Sequence, residues 1–126
     1  MFQKKLIDKR ILIVEDDEGS KQLLFEFFSS TGAELFYANN GNDAISVVKT
    51  HPSINLILMD IKLPEKDGLF ATKEIRKFNN TVPIIAQSAY AFIEDIENVK
   101  SSGMNDFISK PYRQKEILEL VLKHIS

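Results

Sequence analysis

Leu56-Ile57-Leu58-Met59-Asp60-Ile61-Lys62-Leu63-Pro64-Glu65-Lys66-Asp67-Gly68 is the stretch whose reading decides the fold. Its first four residues are apolar on both faces of an extended chain, too short a run for a helix and suited to a strand covered on both sides. The run ends in a carboxylate, and a loop punctuated by Pro64 and Gly68 follows. A buried strand that ends in Asp presents the charge at the rim of a sheet, where it can meet a metal or act as a nucleophile. An Asp at a strand end also caps turns, so Asp60 alone leaves both readings open.

Working outward, the same pattern recurs. Arg10-Ile11-Leu12-Ile13-Val14 reads as a central strand. Leu23, Leu24, Phe27 and Phe28 recur at helical spacing between Asp17 and Ser30, with Gly32 as the C-terminal cap. Residues 33–38 read as a strand, and Asn40 to Asp43 supply caps for a helix that His51-Pro52 ends. Residues 54–59 are the third strand and 67–78 a helix carrying Leu69, Ile75 and Phe78. Residues 82–87 form a strand with Pro83 at its start, 92–101 a helix closed by Gly103, 106–108 a short strand, and 112–125 a helix with Ile117, Leu118, Val121 and Leu122 on one face. Five strand–helix alternations imply a parallel sheet covered on both sides. The polar start, residues 1–8, reads as a short extension or linker remnant, which leaves 9–126 as one domain.

Composition narrows the function classes. With 16 basic and 18 acidic residues in 126, the formal charge is −2, which argues against a dedicated nucleic-acid surface. No apolar segment reaches the length of a membrane span, and no signal-peptide pattern opens the chain. The lack of cysteine removes disulfides and thiolate metal sites. A cytoplasmic protein without membrane or nucleic-acid contact fits. His51 and His124 stand far apart and read as surface residues.

An open α/β sheet builds its site at the carboxyl ends of its strands. Those ends carry Glu15-Asp16-Asp17-Glu18, then Asp60, then Ser88-Ala89, then Lys110-Pro111. With the usual switch point the first and third strands are neighbours, so Asp16 and Asp60 converge. Carboxylates brought together need a cation, and oxygen-only ligands favour a hard ion such as Mg2+. A lysine and a hydroxyl facing them suit phosphoryl transfer onto aspartate, where positioning and charge neutralisation do most of the catalysis. Asp17 and Glu18 read instead as the acidic start of a helix.

This ordered set resembles the receiver domain of two-component response regulators. Ile11-Leu12-Ile13-Val14-Glu15-Asp16 resembles its opening strand and acidic pair, and Met59 to Gly68 its phosphorylation loop. Gln87-Ser88-Ala89 resembles the switch-hydroxyl segment and Ser109-Lys110-Pro111 the lysine–proline segment, over about Lys9 to the C-terminus. The resemblance implies a flavodoxin-like, doubly wound (βα)5 fold with strand order 2-1-3-4-5. It further implies that Asp60 accepts a phosphoryl group from phosphohistidine. Asp16 would bind Mg2+ directly and Glu15 through water, with Asp60 and the backbone carbonyl of Lys62 as further ligands. Lys110, Ser88 and the Ala89 amide would surround the phosphoryl oxygens, Ser88 and Phe107 would form the switch, and a cis peptide would precede Pro111. The implied partner is a histidine kinase or histidine phosphotransfer domain docking near the first helix. A homodimer through the fourth helix, fifth strand and fifth helix is a further expectation, and the domain itself is not an enzyme, although it assists its own phosphorylation and dephosphorylation.

Ser88 stands where Thr is more frequent, and Phe107 where Tyr is, so the hydroxyl donor is kept while the phenolic hydrogen bond is lost. Lys62 and Tyr90 occupy positions that tune dephosphorylation in the family. A degenerate receiver that serves only as an interaction module would lack one of these groups. An aspartyl phosphohydrolase would want a second acid at position 62, and a flavin-binding relative would not put acids after its first strand. The loops around Asp60 and Lys110 resemble receivers of hybrid sensor histidine kinases most; a stand-alone single-domain regulator is the alternative.

Overall fold

The computed structural model describes residues 3–62, 67–89 and 93–125. Tyr90 and Leu63 to Lys66 of the phosphorylation-loop segment lie outside the described residues. Strands β1 (Arg10–Val14), β2 (Glu34–Ala38), β3 (Leu56–Asp60), β4 (Ile84–Ser88) and β5 (Asp106–Ser109) alternate with helices α1 (Glu18–Phe28), α2 (Gly41–Thr50), α3 (Gly68–Arg76), α4 (Ile93–Ser102) and α5 (Gln114–Ile125). The sheet is parallel throughout in the order β2-β1-β3-β4-β5. This is the flavodoxin-like doubly wound arrangement, with its switch point between β1 and β3.

Burial follows strand position. Every residue of β3 and β4 is buried, whereas the edge strands β2 and β5 are only partly covered. Alternate residues feed two core layers. Leu12, Val14, Ile57, Met59, Ile84 and Ala86 pack with α2, α3 and α4. Ile11, Ile13, Leu56, Leu58, Ile85 and Ile108 pack with α1 and α5. Glu15, Asp60, Gln87 and Lys110 continue the second set by one further step of two. The polar site is thus the carboxyl end of an apolar row.

Caps set where helices begin. Asp17, Asn40 and Asp67 each accept a backbone hydrogen bond three residues on, from Ser20, Asp43 and Phe70. The acidic helix start expected at Asp17 and Glu18 is therefore a capped N-terminus. Gly68 opens α3 against the end of β3: a Cβ there would lie 2.2 Å from the Asp60 carbonyl oxygen. Only glycine lets α3 start that close beneath the carboxylate strand.

Three expectations need revision. Leu6, in the segment read as an extension, is 1% exposed and joins the α1/α5 core layer. Lys4 and Leu6 amides donate to the carbonyls of Ser30 and Thr31, so this segment is docked on the loop before β2. Leu23 and Phe78, read as core positions, are exposed: α1 buries a narrower stripe, Leu24 and Phe28, and α3 ends at Arg76, before Phe78. His124 is not a bare surface residue, since its Nε2 lies 2.8 Å from Asp106 Oδ2, pinning α5 to β5. His51 is exposed and packs its ring on Phe36.

Candidate functional site

The first, third and fifth strand ends converge on one cluster. Glu15, Asp16 and Asp60 each offer an oxygen, and these oxygens lie within 4.8 Å of one another. Glu15 and Asp60 are buried while Asp16 is exposed, so the cluster is open on one side. Lys110 Nζ reaches in from the loop after β5, at 2.8 Å from Glu15 Oε2 and 3.5 Å from Asp60 Oδ2. Asp60 Oδ1 accepts from the Lys62 amide at 3.0 Å, and Glu15 Oε1 from the Asp17 amide at 3.1 Å.

One ammonium among three carboxyl groups is an electrostatic imbalance. Burial, and next the neighbouring Glu15 charge, push the Asp60 carboxyl up to about 6, against the opposing pull of Lys110. Lys110 moves up as well: burial disfavours its ammonium, but the Glu15 hydrogen bond and the Asp60 and Glu15 charges outweigh that. The donor set is all oxygen and short of positive charge, with one exposed member through which a hydrated ion can enter. That is the chemistry a hard divalent cation fits, and Mg2+ in particular keeps several waters.

Ser88 is 2% exposed at the end of β4, and its carbonyl accepts from the Lys110 amide at 2.7 Å. Ala89 is exposed and lines a groove with Ser20, Leu23, Lys110, Pro111 and Tyr112. The Lys110–Pro111 peptide is cis. Phe107 is half-buried on β5, beside Ala86 of β4 and against the α2/α3/α4 core layer. Lys62 is exposed, and its backbone is tied to Asp60 through its amide.

Two residues at this site escaped the sequence reading. Gln87, fully buried, stands in register beside Asp60 and accepts a hydrogen bond from the Tyr112 hydroxyl at 2.6 Å. The available signal was a polar residue closing an otherwise apolar strand, one step before the hydroxyl.

The family model of the response regulator receiver domain matches residues 11–122. Regulatory protein AtoC of Escherichia coli is 37% identical over 86% of this chain, a match that spans only 23% of AtoC. The polar-differentiation response regulator DivK of Brucella anthropi is 33% identical, over 93% of this chain and 96% of DivK. Among solved structures, the receiver domain of sensor histidine kinase PA1611 from Pseudomonas aeruginosa, with a magnesium ion coordinated in its active-site cleft, superposes with a TM-score of 0.86. It is 34% identical, with 93% of this chain and 97% of that one covered.

Proposed function

The chain belongs to the response regulator receiver domain family, and from that premise we propose that Asp60 receives a phosphoryl group from a phosphohistidine of a histidine kinase or histidine phosphotransfer domain. A carboxylate oxygen of Asp60 attacks phosphorus, the P–N bond breaks, and its electron pair returns to the imidazole, which takes up a proton. The product is a mixed anhydride on Asp60. The observation that carries this reading is the Glu15–Asp16–Asp60 oxygen cluster with Lys110 against it.

Each residue has a distinct task. Asp16, Asp60, Glu15 and the Lys62 carbonyl would hold Mg2+, which when bound neutralises charge on the phosphoryl oxygens. Lys110 stands 3.5 Å from the Asp60 oxygen and supplies an ammonium to the incoming group. Ser88 and the Ala89 amide complete the donor set, and Ser88 with Phe107 carries the phosphorylated state to the face of α4, β5 and α5. That face is also where a homodimer would form. The groove of Ser20, Leu23, Ala89, Lys110, Pro111 and Tyr112 borders Lys110, which supports docking of the phosphodonor beside α1.

The domain is a phosphoacceptor that assists its own phosphorylation and dephosphorylation, not a turnover enzyme. Among the described residues no helix is long and apolar enough to cross a membrane, and we infer a cytoplasmic domain that touches neither membrane nor nucleic acid. Likeness to the PA1611 receiver supports a parent hybrid sensor histidine kinase. The match over 96% of DivK favours the alternative, a stand-alone regulator. The phosphoacceptor assignment is tested with Mg2+, acetyl phosphate and intact-mass analysis. Wild type gains one phosphoryl group and Asp60→Asn gains none; equal labelling of both sinks the assignment.

A further inference from the structure

Two bonds join the end of β4 to the loop after β5. One is the backbone bond from the Lys110 amide to the Ser88 carbonyl. The other is the side-chain bond from the Tyr112 hydroxyl to Gln87 Oε1. Gln87 immediately precedes Ser88, and Tyr112 follows Lys110 by two residues. We propose that the Gln87–Tyr112 hydrogen bond is a positioning device that fixes the loop bearing Lys110 over Asp60. The proposal rests on the assignment of Asp60 and Lys110 made above.

The first support is place. Gln87 is 0% exposed and in register with Asp60, in the row where Ile85 and Ile108 are apolar. An aliphatic residue would complete that row without polar demands. The second is that Gln87 Nε2 is buried with no hydrogen-bond partner among the described residues. Leaving a donor unpaired in the interior opposes folding, so packing alone does not account for an amide here. The third is polarity. Burial, and then the charges of Glu15 and Asp60, raise the Tyr112 phenol well above its ordinary value, so it stays protonated. The hydroxyl therefore remains a donor and the amide oxygen its acceptor.

Geometry explains why Lys110 needs this. A lysine side chain is long and flexible, and its ammonium here sits closer to Glu15 than to Asp60, at 2.8 Å against 3.5 Å. Where the backbone leaves β5 decides how the ammonium divides itself between the two acids. One tie runs along the backbone, and the Tyr112 hydroxyl adds a second on the far side of Pro111.

The test compares Gln87→Met, Tyr112→Phe and the double variant with wild type. Three quantities are read: the initial phosphorylation rate with acetyl phosphate at saturating Mg2+, the Mg2+ half-saturation by calorimetry, and the thermal midpoint. The double variant removes both polar groups together, so its midpoint equals or exceeds that of wild type. Mg2+ half-saturation is unchanged, because neither residue is a ligand. The rate falls about fivefold, the scale of one neutral hydrogen bond, and by the same factor in each single variant because the pair acts as one unit. A wild-type rate in the folded double variant overturns the proposal. So does a rate loss that tracks weakened Mg2+ binding or partial unfolding, which marks a purely structural pair. Failure of the Asp60 assignment is separate, and shows as equal labelling of Asp60→Asn.

Discussion

The sheet of this receiver domain has a charged cluster at each pole, and the two are handled in opposite ways. At the carboxyl pole Asp60 shares its surroundings with Glu15 and Asp16, and Lys110 pairs with both Glu15 and Asp60. At the other pole Arg76, in the last turn of α3, donates to the Gly103 carbonyl at 2.9 Å, the Asn79 carbonyl at 3.2 Å and Asn105 Oδ1 at 2.8 Å. Asn105 Oδ1 also accepts from the Ile84 amide, so this cluster anchors the start of β4. Arg76 meets neutral acceptors that suit its fixed fork, and its shift is a lowering caused by burial alone. One pole is a finished structural knot. The other keeps a deficit of positive charge that only a ligand corrects, and that deficit is what makes it a site.

Charge-removing substitutions sharpen this contrast. The largest effect is expected from Lys110→Met, which leaves buried carboxylates without their ammonium and lowers stability by about 3 kcal/mol at neutral pH; denaturant unfolding in EDTA measures it. Arg76→Met should lose about 2 kcal/mol, because the Gly103 and Asn79 carbonyls lose their donor and Asn105 Oδ1 keeps only the Ile84 amide. Asp60→Asn should do the reverse and stabilise the metal-free protein by on the order of 2 kcal/mol, since its charge is the one the fold disfavours. If Asp60→Asn destabilises as much as Arg76→Met does, the two poles are not different in kind.

The pH dependence follows with its sign. Unfolded Asp60 ionises near the ordinary carboxyl value of 3.8 and the folded group at about 6, so between these pH values the native state holds the extra proton. In EDTA, stability contributed by this group is therefore full below the lower value, falls as pH rises through the window, and is flat above it. Subtracting the Asp60→Asn curve isolates that slope. Asp106 works oppositely. Burial opposes its ionisation, but the His124 bond, the Phe107 amide and Lys123 outweigh this and lower its pKa, so its contribution is lost on acidification through that lowered value. The smallest effect is expected from Mg2+: at tenfold its dissociation constant it should stabilise wild type by about 1.4 kcal/mol and Asp60→Asn by less.

The contrast also explains what the sequence could show. The acidic pole was legible because each of its members closes a strand, and strand ends converge by topology. Arg76 and Gln87 were not, because each is a single polar residue whose partners come from loops of unpredictable path: Gly103 and Asn105 for one, Tyr112 for the other. All ten elements followed from alternation, with ends shifted by one or two residues, whereas the strand order followed from the family resemblance. Helix faces were read less well. Periodicity finds a stripe but not its width or its end, so Leu23 falls on the apolar face of α1 and Phe78 past the end of α3, and both are exposed. Leu6 was hidden for another reason: one apolar residue in a polar stretch has no period, and its burial comes from docking against residues 30–31.

The central claim is that Asp60 is the residue that receives phosphate. The most direct measurement is to phosphorylate the domain with acetyl phosphate and Mg2+, reduce the acyl phosphate with borohydride, and map the altered residue by peptide mass spectrometry. The account predicts homoserine at position 60 and nowhere else, with no conversion when Mg2+ is chelated. Conversion at Glu15, Asp16 or any other acid, or labelling of the folded protein that leaves Asp60 intact, would contradict it.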